Sequence, residues 1–145
     1  MNNASLVMFS FFQIQTSLKF SHWRTKSYSE HKALDEFLDK FIDNMDKFIE
    51  IYQGKYGRID FKGRSGSMVI QRVNGKDLVR YLDVLIGFFG GIRSKNCKKY
   101  KIDSKKTYCG ITLLDIIKDT DTDLLNIRDE IVGSINQLKY LLTLS

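Results

Sequence analysis

The sequence predicts an all-α protein, a four-helix bundle with a long crossover between the second and third helices. Three observations carry that prediction. The 145 residues contain no proline, so nothing removes a backbone donor or kinks a turn inside a long helix. Four separate stretches space their apolar residues three and four apart, the period of a helix with one buried face. A glycine-punctuated stretch between Tyr52 and Asn74 is far longer than the turn that joins adjacent antiparallel helices. With 43% hydrophobic residues the chain can fill one core, and it is too short for two ordinary domains, so residues 1–145 read as a single domain.

The first helix is expected at about residues 5–26. Val7, Phe11, Ile14 and Leu18 share a face, and His22 continues it. Phe9, Phe12, Phe20 and Trp23 form a second apolar face roughly opposite, and a helix that is apolar on two sides implies self-association. The run Leu6 to Phe12 is broken by Ser10 and follows no positive charge, so it reads as too short to span a bilayer and as a poor signal peptide. The chain is therefore expected to be soluble and cytoplasmic, and the Asn3-Ala4-Ser5 sequon should carry no sugar.

The second helix, at about 27–52, opens with a capping box in which Ser27 precedes Glu30 by three residues. Leu34, Phe37, Leu38, Phe41, Ile42, Met45, Phe48, Ile49 and Tyr52 form its core stripe. At about 100° per residue, His31, Asp35, Asp39, Asp46 and Glu50 fall together on one flank of that stripe. A row of acids at helical spacing is usually a solvated face; here the histidines join it.

The crossover contains no phosphate-loop pattern and should carry the chain back across the bundle. A third helix at about 75–92 buries Leu78, Tyr81, Leu82, Leu85, Phe88 and Phe89 and stops at Gly90-Gly91. After a basic loop and a short helical piece near Leu113 to Lys118, the last helix, at about 122–143, is capped by Asp121 or Thr122. Two helices, a long crossover and two more helices is the connectivity of a ferritin-like bundle.

The series His22-Trp23, His31, then Asp46 and Glu50 resembles the motif of the Dps-type mini-ferritins. That resemblance implies a ferroxidase centre shared across a two-fold axis, with His22 and His31 as ligands from one subunit and Asp46 and Glu50 from its mate. It also implies Trp23 and Asp35 standing behind the ligands, and a homo-oligomer that is at least a dimer and extends in the family to a cage. Imidazole and carboxylate donors suit Fe(II), and the same set could hold Zn(II) or Mn(II). The third and fourth helices carry no His, so only a site between subunits can be built. The gap from His22 to His31 is a few residues shorter than in that family. The wording of residues 22–59 is also similar to short uncharacterised ferritin-like proteins of large DNA viruses and phages. That resemblance implies the host cytoplasm or a virion, and leaves open a non-catalytic structural or interaction bundle.

Charge suggests a further role. Residues 93–106 hold seven Lys or Arg against one Asp, an excess equal to the net charge of +6 of the whole chain. Lys98, Lys99, Lys105 and Lys106, with Tyr100 and Tyr108 nearby, are candidates for contacting nucleic-acid phosphates without reading sequence. Cys97 and Cys109 lack the spacing of a zinc site and are expected to be free thiols in a reducing compartment, though oxidation could pin the loop between them.

Overall fold

The computed structural model describes residues 2–60 and 68–144. Among these the chain is all-helical, with α1 (Asn3–Arg24), α2 (Tyr28–Tyr56), α3 (Gly75–Gly90) and α4 (Thr122–Leu142), and two short 3-10 turns lie in the connection between α3 and α4. The bundle core forms where the predicted stripes meet. Phe11 of α1 lies 5.5 Å from Phe48 of α2 and 5.6 Å from Phe89 of α3, ring centre to ring centre. Each such ring, fully withdrawn from water, contributes about 1.5–3 kcal/mol before entropy is counted. Ile131, Ile135 and Leu138 line the inner face of α4, which packs mainly on α2.

Local signals set most helix ends. Asn2 accepts the amide of Ser5 at 2.8 Å to start α1, and Ser27 accepts that of Glu30 at 3.2 Å to start α2. The reciprocal half of the expected capping box does not form. The buried Glu30 carboxylate instead takes the Asn74 side-chain amide at 2.9 Å and the Gly75 amide at 3.0 Å, which caps α3 from the start of α2. Asp121 stands at the N-cap of α4 without capping it through its side chain. Its carboxylate accepts the Lys118 amide, Lys55 Nζ at 3.0 Å and the Tyr56 hydroxyl. This explains why α2 runs one turn beyond Tyr52: Tyr56 packs 4.8 Å from Tyr52 and reaches α4 only if the helix continues through Gly54. Gly91, at φ 80°, ends α3 in the left-handed conformation that glycine adopts at no steric cost.

Residues 57–74 connect α2 to α3, and of the two described parts, 57–60 and 68–74, the second runs along α1. Three side chains one turn apart hold it. Gln13 Nε2 donates to the Val69 carbonyl at 2.5 Å, Ser17 Oγ accepts the Gln71 amide at 2.9 Å, and Ser21 Oγ donates to the Val73 carbonyl at 2.5 Å. Four helical residues advance about 6 Å and two extended residues about 6.6 Å, so the two ladders stay in step. A small hairpin covers the next side. Tyr108 donates its amide to Tyr100 O at 3.2 Å, Ile102 to Lys106 O at 2.7 Å, and Lys101 pairs with Thr107. This hairpin corrects the expectation of free thiols, because its base sets Cys97 opposite Cys109 and the two form a disulfide. No helix among the described residues is long and apolar enough to cross a membrane.

Candidate metal half-sites on α1 and α2

Only Thr25, Lys26 and Ser27 separate the first two helices, so the last turn of α1 and the first turn of α2 lie side by side. His22 and His31 meet there. Their rings stack with centres 3.8 Å apart and planes 18° from parallel. His22 Nδ1 lies 2.8 Å from the His31 carbonyl, and His31 Nδ1 lies 2.8 Å from the His22 carbonyl. A carbonyl oxygen can only accept, so each Nδ1 carries the proton and each neutral ring keeps its lone pair on Nε2. Backbone carbonyls fix the tautomer and orientation of metal-binding imidazoles in the same way. The contact also satisfies His22 O, one of the carbonyls that the end of α1 leaves without an intrahelical partner.

His22 is buried and His31 exposed. Asp35 joins them, with Oδ1 3.9 Å from His22 Nε2. Asp46 and Glu50 do not. They stand exposed one turn apart, and the fifteen residues from His31 to Asp46 extend about 22 Å along α2 at 1.5 Å per residue. Within one chain, therefore, no group of three His, Cys, Asp or Glu is placed to hold a metal among the described residues. The chain carries two separate sets of donors. With the short turn, the imidazole lone pairs lie in nearly parallel planes rather than converging on one point.

Between the two sets runs an open groove of about 380 Å³, lined by Gln15, Thr16, Lys19, Phe20 and Trp23 from α1 and Leu38, Asp39 and Ile42 from α2. Trp23 is 61% exposed and meets Phe20 edge-on at 5.5 Å. The second apolar face of α1 is thus open at Phe12, Phe20 and Trp23, whereas Phe9 is drawn partly into the core.

The basic loop divides differently from the expectation. Lys98, Lys99, Lys105 and Lys106 are exposed. Tyr100 and Tyr108 are buried and face inward, so they offer no ring to a nucleic acid. Burial, then the neighbouring Asp77 carboxylate 2.8 Å away, pushes the Tyr100 phenol up to about 12. Burial holds Tyr108 well above its usual range as well, while its hydroxyl donates to Gln13 Oε1.

Residues 22–112 match the model of a family of unknown function, DUF5856. The chain belongs to this family. The DUF5856 region begins at His22 itself and takes in His31, Asp46, Glu50, the crossover, α3, the hairpin and both cysteines. No curated protein and no solved structure matches the chain.

The residues that sequence reasoning missed are Gln13, Ser17 and Ser21. Their signal was present as polar residues four apart in an otherwise apolar helix, all three fully buried or nearly so.

Proposed function

We propose that the chain pairs about a two-fold axis as a ferritin-like bundle and binds Fe(II) as a substrate for oxidation. The reading rests on one observation: both imidazoles are held through Nδ1 by backbone carbonyls, which leaves Nε2 to a ligand, and farther along α2 the exposed carboxylates of Asp46 and Glu50 have no ion-pair partner among the described residues. If two copies of α2 run antiparallel so that His31 of one meets Asp46 and Glu50 of the other, the axis falls midway, at Asp39. Asp39 lines the groove, beside Leu38 and Ile42. Covering Phe20, Trp23 and Ile42 supplies the apolar burial that association requires.

In that arrangement the backbone carbonyls orient both rings through Nδ1, Asp46 and Glu50 of the partner copy supply negative charge, and Asp35, whose Oδ1 lies 3.9 Å from His22 Nε2, adds a carboxylate beside that nitrogen. Few protein donors leave room for an oxidant. Each Fe(II) gives up one electron, so two ions reduce one hydrogen peroxide to two waters with uptake of two protons. The test is an anaerobic Fe(II) titration of a size-defined oligomer followed by peroxide. Saturable binding and oxidation above the buffer rate are expected in the wild type. Both should be lost in His31→Ala and in Asp46→Asn with Glu50→Gln, whose folding stays intact. Uptake that is unchanged in both variants refutes the reading, and a well-folded oligomer that takes up no metal leaves the bundle a structural or interaction module.

A second reading has its own support. The four loop lysines are exposed, and none has an ion-pair partner among the described residues. With the tyrosines turned inward, contact with nucleic acid would run through phosphates alone. Binding should then be indifferent to sequence and fall steeply with salt.

A further inference from the structure

The hairpin places a disulfide in an unusual electrostatic setting. Cys97 is 7% exposed and Cys109 more open, so an incoming group reaches the pair from the Cys109 side. Lys98 and Lys99 directly follow Cys97 and are exposed, and Arg93 Nε donates to the Cys109 carbonyl at 2.5 Å. The single acid within the loop, Asp103, turns Oδ1 onto the amides of Lys105 and Lys106 at 2.8 and 2.6 Å. A positive field of this kind gathers anions and stabilises a thiolate leaving group.

We propose that Cys97 and Cys109 form a reversible dithiol–disulfide couple that exchanges with small anionic thiols of the glutathione class. A thiolate attacks Sγ of Cys109, the bond to Cys97 breaks, and its electron pair leaves on Cys97 Sγ beside Lys98 and Lys99. A second thiolate attacks the mixed disulfide at the small-molecule sulfur and releases Cys109. Two small thiols are thereby oxidised to one disulfide, and the protein disulfide is reduced to two thiols, which take up the two protons. Exchange rate depends on both the attacking and the leaving thiolate: the basic loop draws an anionic thiol to the bridge, and the same positive field offsets part of the cost of forming a thiolate at the buried Cys97.

Reversal is built into the fold. The hairpin does not depend on the bridge for its docking, because Tyr100, Ile102 and Tyr108 are buried. The Lys101 carbonyl is also held by Gln13 at 2.6 Å and by Gln71 at 2.7 Å. The reduced cysteines therefore stay opposite each other, and oxidation regenerates the same pair.

The experiment follows reduction of the folded, full-length chain by trapping free thiols with a maleimide polymer and reading the gel shift. Glutathione, 2-mercaptoethanol and cysteamine serve as anionic, neutral and cationic probes, each normalised to its rate on a small model disulfide. At low salt glutathione should gain about tenfold over 2-mercaptoethanol, and cysteamine should lose. The advantage should disappear in 0.5 M salt (roughly a 4 Å screening length) and in the triple variant Arg93→Gln, Lys98→Gln, Lys99→Gln. Circular dichroism should stay native through a cycle of reduction and reoxidation, and in Cys97→Ser with Cys109→Ser. Reduction only after denaturant is added, or normalised rates indifferent to the charge of the thiol, would overturn the proposal.

Discussion

Replacing Gln13 with leucine removes the one side chain that holds three segments at once. Its amide donates to Val69 O and Lys101 O, and its carbonyl accepts from Tyr108. Their losses differ. Lys101 O keeps the Gln71 amide, and Tyr108 keeps the Tyr81 hydroxyl 3.2 Å away, so each costs about 1 kcal/mol, the net worth of one hydrogen bond. Val69 O has no other hydrogen-bond partner among the described residues and is half-buried, which adds about 1–3 kcal/mol for a stranded acceptor. The sum is about 3–5 kcal/mol. For a urea slope of about 2 kcal/mol per molar, the unfolding midpoint should fall by roughly 1.5–2.5 M. Tyr108→Phe should cost about 1–3 kcal/mol alone, because it strands Gln13 Oε1. In combination the two should cost at least about 1 kcal/mol less than their sum, since they share a bond. A loss below about 1 kcal/mol for Gln13→Leu, or strict additivity with Tyr108→Phe, would refute this account of the network.

Three further outcomes follow from the same geometry. The Tyr56 hydroxyl, then the Lys118 amide and Lys55, hold Asp121 down to about 2 from 3.8. A lowered carboxylate stabilises the fold above its unfolded pKa, so this contribution should be lost as pH falls from 3.8 through about 2, and Asp121→Asn should flatten that part of the acid-unfolding curve. Removing the disulfide, which spans a sequence separation of 12, should cost about 3 kcal/mol by the loop-entropy account, measured by urea unfolding of Cys97→Ser with Cys109→Ser. At Gly87 an added Cβ would stand 2.2 Å from the Ile92 carbonyl, a backbone atom that cannot swing aside, so Gly87→Ala should lose about 1–3 kcal/mol despite its better helix propensity.

The helices were legible because their signals are local. Stripes of apolar residues and the start at Ser27 are written in a few consecutive positions, and the core of Phe11, Phe41, Phe48 and Phe89 follows from them. What was not legible depends on partners distant in sequence. Glu30 reads as half of a capping box until Asn74 arrives beside it, and Asp121 reads as a helix cap until Tyr56 and Lys55 reach it. The cysteines read as unpaired because the hairpin that joins them rests on Tyr100 and Tyr108 packing under Gln13, a long-range contact. At the candidate site, pairing of the two histidines follows from a three-residue turn between helices. The separation of Asp46 and Glu50 from the histidines follows from helix rise alone.

The acidic flank of α2 is itself an argument that it serves something outside its own chain. Asp39 has Asp35 four residues before it and Asp43 four residues after, and the positions three away are Glu36 and Ile42, so it meets no cation on its own helix. Like charges at that spacing cost about 0.2–0.5 kcal/mol per pair. Asp39 forms no ion pair among the described residues to offset this. Asp39→Asn keeps the shape of the side chain and relieves the repulsion from Asp35, Glu36 and Asp43, so it should stabilise the isolated chain by about 0.6–1.5 kcal/mol in chemical unfolding at low salt. The gain should shrink as salt screens the repulsion. A loss of stability would mean that the aspartate is held by its own fold, and the flank would then need no second copy or cation to account for it. A gain would show that the bundle carries these carboxylates at its own cost, as proteins do where a site rather than the fold requires the charge.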